Sequence, residues 1–100
     1  MKTTLVRYKT KPDRTEENAQ LIKAVFAELH AKAPEGLHYA ALKLADGSFV
    51  HVVQSDTDPS PLPTFEAFQA FLGGIRERCS EPPAQNEVTI VGNYRMIGPS

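Results

Sequence analysis

Two largely apolar runs, Leu37-His38-Tyr39-Ala40-Ala41-Leu42-Lys43-Leu44 and Phe49-Val50-His51-Val52-Val53-Gln54, flank the tetrapeptide Ala45-Asp46-Gly47-Ser48. Asp-Gly between two strand-like segments is a strong hairpin signal, because a two-residue primed turn needs positive φ at its centre. With Asp46-Gly47 as that turn, Ala45 opposes Ser48, Leu44 opposes Phe49, Leu42 opposes His51 and Ala40 opposes Val53. Side chains alternate across a strand. One face of the hairpin is then expected to carry His38, Ala40, Leu42, Leu44, Phe49, His51 and Val53, and the other Leu37, Tyr39, Ala41, Lys43, Val50, Val52 and Gln54. Both faces are mainly apolar, whereas a sheet with one wet face alternates apolar with polar. A chain containing this hairpin must cover it on both sides.

The rest of the sequence supplies cover for one side. Thr4-Leu5-Val6-Arg7-Tyr8-Lys9-Thr10 is rich in β-branched and aromatic residues and stops before Pro12, which reads as a first strand. Asp13 with Glu16 three residues on reads as a helix N-cap. Ile22, Val25, Phe26, Leu29 and Ala33 then recur at helical spacing, with charged residues opposite, up to Pro34-Glu35-Gly36. Prolines at 59, 61 and 63 make Asp56–Pro63 a loop. Beyond it Thr64 caps a second helix with the stripe Phe65, Phe68, Phe71, Leu72, Ile75 and Cys79, interrupted at Gly73-Gly74. After a proline-containing loop over 80–87, Val88–Ile97 reads as the fourth strand. The order is strand-helix-strand-strand-helix-strand.

At 100 residues the chain fits one domain, 1–100, and its 41% hydrophobic and 23% charged residues are those of a folded protein. A net charge of −1 leaves no basic stripe for a nucleic-acid backbone, since Arg7, Lys9 and Lys11 merely alternate along one strand. No segment approaches the ~18 consecutive apolar residues of a membrane span, and no signal-peptide apolar region follows Met1. The single cysteine, Cys79, excludes an internal disulfide. A cytoplasmic location is the expectation. Two helices in this topology cover one sheet face, so a symmetric homodimer burying sheet against sheet is expected to cover the other. A ligand-binding face without dimerisation is the competing explanation.

The element order, the strand ending Tyr8-Lys9-Thr10-Lys11-Pro12, Glu35-Gly36-Leu37-His38-Tyr39 opening the second strand and the Phe-rich second helix together resemble the dimeric α+β barrel superfamily. Within it the similarity is to antibiotic-biosynthesis-monooxygenase-like proteins and their uncharacterised neighbours. The resemblance implies an α+β, ferredoxin-like βαββαβ protomer, with a four-stranded antiparallel sheet and two helices on one face, paired into a barrel. In some members it also implies a pocket between sheet and helices for cofactor-free oxygenation or haem degradation. Here the chain lacks Trp, and Gln54-Ser55-Asp56 with the proline loop stands where those relatives carry an aromatic-rich segment.

Candidate chemistry centres on His51, which sits in an otherwise apolar strand and can supply a base or a hydrogen-bond donor inside a cavity; the plainer reading is a hydrogen-bonded interface histidine. The candidate pocket comprises His51, His38, Leu42, Phe49 and Tyr94. His38 stands roughly 13 Å from His51 at strand rise, too far to share a metal. Tyr8, Tyr39 and Tyr94 can orient a polar substrate or simply pack, and Arg7 with Arg95 can hold a carboxylate or pair with surface acids. No nucleophile elbow, phosphate loop or metal-ligand spacing is present, and no cofactor is implied. Three functions remain open: a small organic ligand near His51, cofactor-independent oxygenation of a polyphenol-like substrate, or a structural dimer without ligand.

Overall fold

The computed structural model describes residues 2–96. The chain runs β1 (Lys2–Thr10), α1 (Thr15–Lys32), β2 (Leu37–Lys43), β3 (Ser48–Ser55), α2 (Glu66–Leu72), α3 (Ile75–Arg78) and β4 (Cys79–Glu87). The four strands form one sheet in the order β2-β3-β1-β4, every neighbouring pair antiparallel. This is the expected α+β, ferredoxin-like arrangement. Tyr8 and Phe49 on the sheet, Ile22 and Val25 on α1, and Phe71 and Ile75 on α2 and α3 are buried together in the core. No helix among the described residues is long and apolar enough to cross a membrane.

α1 follows its apolar stripe, with Ile22 and Val25 buried and Phe26 and Leu29 half-buried beside them. Its entry differs from the expected Asp13 cap. Pro12–Arg14 coil as a 3-10 turn, with the Arg14 amide on the Lys11 carbonyl at 2.9 Å, so the helix starts at Thr15 and Asp13 caps nothing. Proline at the first helical position pre-sets φ for a helical turn, which moves the coil upstream of the acid. At the other end Ala33 takes the left-handed conformation, φ +43°, and donates to Leu29 at 2.7 Å. That C-terminal position favours glycine, since a Cβ there is strained. Ala33→Gly is expected to raise unfolding free energy by about 1 kcal/mol in urea melts; an unchanged or lowered midpoint would speak against the strain.

The hairpin forms where expected, but one residue out of register. Lys43 opposes Phe49, Ala41 opposes His51 and Tyr39 opposes Val53. The loop has three residues, Ala45 to Gly47: Gly47 donates to Leu44 at 3.2 Å, Leu44 donates to Ser48 at 2.8 Å, and Gly47 has φ +88°. This is the three-residue hairpin in which a type I turn ends in a left-handed glycine, and the Asp46 carboxylate accepts the Ser48 amide at 2.9 Å. A one-residue slip moves a whole strand's side chains to the other face. Tyr39 and Ala41 therefore join Phe49, His51 and Val53 against the helices, and His38, Ala40 and Leu42 turn away with Val50 and Val52.

The fourth strand is Cys79–Glu87, not Val88–Ile97; Ile97 itself lies outside the described residues. Glu81 opposes Lys9 and Ala84 opposes Arg7, which leaves Pro82 and Pro83 together opposite Tyr8 in a bulge. β4 is an edge strand, so neither proline removes a hydrogen bond that a second neighbour needs. Because Cys79 pairs with Thr10 directly after α3, the free edge of β1 is filled before Val88 is reached. Val88 makes one last bond, to Thr3 at 2.9 Å.

The second helical segment is split. Phe65, not Thr64, precedes α2, and the Thr64 hydroxyl instead donates to Pro61 at 2.6 Å. Gly74, at φ +80°, separates α2 from α3, which L side chains do not favour within a helix. This break lets Arg78 fold back on the end of α2.

Candidate functional site

β1 and β3 pair Tyr8 directly with Phe49, whose rings stack at 5.4 Å and 13°. His51, two residues along β3, projects from the same side and is only 3% exposed. The rings of Tyr8, Tyr39 and Phe71 stand 5.3–5.7 Å from it, centroid to centroid. Both imidazole nitrogens are hydrogen-bonded: Nε2 to the Tyr8 hydroxyl at 2.8 Å and Nδ1 to the Tyr39 hydroxyl at 2.6 Å. Asn18, buried on the inner face of α1 one turn before Ile22, donates from Nδ2 to Tyr8 at 2.9 Å. Arg78 completes the line, donating from Nε to Asn18 Oδ1 at 3.0 Å.

Arg78 is 2% exposed, and no carboxylate among the described residues forms an ion pair with it. Its guanidinium is held by carbonyls at the end of α2, Phe71 at 2.5 Å and Gly73 at 3.0 Å, and lies over the Phe71 ring. Carbonyls unpaired at a helix C-terminus carry partial negative charge, so a cation is stabilised there. Buried arginine, amide, phenol and imidazole and the half-buried Tyr39 phenol thus form one continuous line from α3 to β2.

Burial sets the protonation of this line. It lowers the His51 pKa to about 4, because the surroundings disfavour the imidazolium. It raises both tyrosines well above their ordinary value; at Tyr8 the Asn18 hydrogen bond opposes the effect without overcoming it. At neutral pH the imidazole is uncharged and both phenols are protonated.

Beside these side chains lies a cleft of about 460 Å³ between the sheet and the α2 segment. Tyr8, Tyr39 and His51 line one side, Phe68, Phe71, Leu72 and Ile75 the other, and Ser60, Leu62 and Pro63 of the proline loop contribute to the wall. The lining is mostly apolar with a few convergent polar groups, the usual make-up of a small-molecule site, and the volume lies in the ordinary range for one. It contains no carboxylate, and exposed Arg76 is its cation.

The sequence candidates separate. His51 lines the cleft, and Phe49 is buried behind it against Tyr8. His38 and Leu42 lie on the opposite face, Leu42 half exposed, as the corrected register requires. Tyr94 is 74% exposed in the segment after β4, with the Arg95 guanidinium over its ring, so Arg95 is not on a strand beside Arg7. No group of three metal-ligating side chains occurs among the described residues. Cys79 is buried and its thiol is pushed up by burial, the opposite of nucleophile activation. Asn18 and Arg78 carry no motif or spacing that marks them in the sequence as members of this line. The available signal was a polar residue four positions before Ile22 on an apolar helix face, and an arginine four residues after a helix-breaking glycine.

No family model matches the sequence, and no curated protein matches it either. Solved structures do resemble it. A Nitrosomonas europaea protein assigned to the antibiotic biosynthesis monooxygenases superposes with a TM-score of 0.76 at 16% identity, over 92% of this chain and 100% of that one. The chain has their ferredoxin-like fold. Rv0793 from Mycobacterium tuberculosis gives 0.74 at 14% identity, over 92% and 96% of the two chains. A second N. europaea protein, of unknown function, gives 0.70 at 20% identity, over 93% and 92%. At these identities the shared property is the fold, and function has to be argued from the site.

Proposed function

We propose that this protein binds a small, flat, mainly apolar organic molecule in the cleft between the sheet and α2, and does so as a homodimer. The observation that carries the reading is an apolar cleft floored by a hydrogen-bonded Tyr8–His51–Tyr39 cluster. A hydrogen-bonded polar group inside an apolar wall fixes the orientation of a ligand that the wall holds by burial. A bicyclic quinone such as 1,4-naphthoquinone suits the volume and serves as the probe. Calorimetric titration is expected to give micromolar binding, abolished by Leu72→Trp, which fills the cleft from an exposed helix position. Equal binding by that variant would remove the cleft from the account.

The homodimer rests on the outer sheet face, where Leu5, Ala40, Leu42, Val50 and Val52 share one side and stay partly or largely exposed in the single chain. A contiguous apolar face of this kind fits a second copy. Light scattering at micromolar concentration is expected to give twice the chain mass, reduced to one chain by Leu42→Glu. Buried, unpaired Cys79 is compatible with the reducing cytoplasm.

A second reading is a cofactor-independent monooxygenase that oxidises a quinol-type substrate with dioxygen. It is favoured by the fold neighbours described as antibiotic biosynthesis monooxygenases and by the protonated phenols beside a neutral imidazole. Oxygen uptake with naphthoquinol, compared with His51→Ala, decides it. Unchanged turnover in that variant would take His51 out of the mechanism.

A further inference from the structure

From the hydrogen-bond chain Arg78–Asn18–Tyr8–His51–Tyr39 we infer that every bond points the same way, so that the Tyr39 hydroxyl offers its proton to the cleft and selects ligands with an accepting oxygen there. This inference rests on the ligand reading above and names its chemical class.

The direction follows from what each group can do. An arginine only donates, so the Asn18 atom beside Nε at 3.0 Å must be the oxygen. The Asn18 nitrogen then faces Tyr8 and donates to its oxygen at 2.9 Å. Tyr8 keeps its own proton, and the one acceptor among its described partners is His51 Nε2 at 2.8 Å. A neutral imidazole whose Nε2 accepts carries its proton on Nδ1. That proton is donated to Tyr39 at 2.6 Å. The Tyr39 oxygen therefore accepts from within the protein, and no described protein group takes its proton. Tyr39 and His51 both line the cleft. The lining has no carboxylate and includes Arg76, which also favours a neutral or negative oxygen over a donor group.

The arrangement is reversible by one atom. In Asn18→Asp the carboxylate accepts from both Arg78 and Tyr8. Tyr8 must then accept from His51 Nε2–H, and Nδ1 must accept from Tyr39, which takes the Tyr39 proton out of the cleft.

Long-range proton–nitrogen correlation of the histidine rings at neutral pH reads the tautomer directly. The expected result in the unaltered protein is a pyrrole-type Nδ1 and a pyridine-type Nε2 at His51, exchanged in Asn18→Asp. In parallel, 1,4-naphthoquinone is expected to bind roughly tenfold tighter than naphthalene, the worth of one net hydrogen bond, and Tyr39→Phe is expected to bring that ratio close to one. A protonated Nε2 in the unaltered protein, which needs no variant to fold, overturns the inference. So does an undiminished quinone preference in Tyr39→Phe. Failure of both compounds to bind, with Nδ1 protonated, overturns the ligand reading and its class while the order of protons in the chain stands.

Discussion

Replacing Arg78 with methionine is expected to lower the unfolding free energy by about 3–5 kcal/mol, a large part of what holds a domain of this size together. The guanidinium donates to Asn18 Oδ1 and to the Phe71 and Gly73 carbonyls from a position 2% exposed. Methionine fills much of the volume but leaves Asn18 Oδ1 and the Phe71 carbonyl buried without their donor, each costing about 1–3 kcal/mol, while the exposed Gly73 carbonyl can turn to water. Relief from burying a charge returns part of this, so the sum stays below the simple total. Lysine is not expected to rescue, because one ammonium cannot match a planar fork that reaches a helix end on one side and an amide on the other. Urea unfolding with an unchanged slope checks it; a loss under about 1 kcal/mol would show that Arg78 is held there without contributing.

Acid is expected to weaken the fold well above the range in which carboxylates titrate. His51 has a pKa of about 4 in the folded chain, lowered by burial, against about 6.5 in an unfolded one. Between those values the unfolded state binds the proton and the folded state does not, so stability falls as pH falls from 6.5 towards 4. Its share of stability is fully present above pH 6.5, about 2 kcal/mol of it is gone by pH 5, and about 3 kcal/mol once pH drops below 4. Glu17, Glu28 and Asp46 have carboxyls lowered by hydrogen bonds and exposed partners, so their effects enter only in more acid solution. His51→Gln, which cannot titrate, is expected to flatten the profile between pH 6.5 and 5. An equally steep profile in that variant would assign the acid sensitivity elsewhere.

Element order and the helix stripes are legible in the sequence because they depend on local periodicity: Ile22, Val25 and Leu29 can form an amphipathic face in any context. The hairpin is legible for the same reason, and its register is not. Asp46-Gly47 serves both a two-residue turn and a three-residue loop closed by a left-handed glycine, and the choice decides which face receives Tyr39. Local pattern misled at the fourth strand. Val88–Val91 has the better strand composition, yet Cys79–Glu87 reaches the open edge of β1 first and tolerates Pro82 and Pro83 because that edge has one neighbour. His51 stands out as a lone titratable residue among apolar ones. Tyr8 and Tyr39 are visible only as aromatics with a hydroxyl, and Asn18 and Arg78 not at all, since these residues come from four other elements and only the correct register and the Gly74 break bring them into one line with it.

That corrected register also changes what the two sheet faces do. The inner face holds the polar chain and the cleft, while the outer face, with Leu42 and Val52, is the one proposed for a second copy. Titrating the isotope-labelled protein with 1,4-naphthoquinone and following its amide and aromatic resonances separates these roles most directly. Saturable shifts are expected at Tyr39, His51, Phe68 and Leu72, with Leu42 and Val52 unmoved. Saturable shifts on the Leu42 and Val52 face with none at Tyr39 or His51 would contradict it.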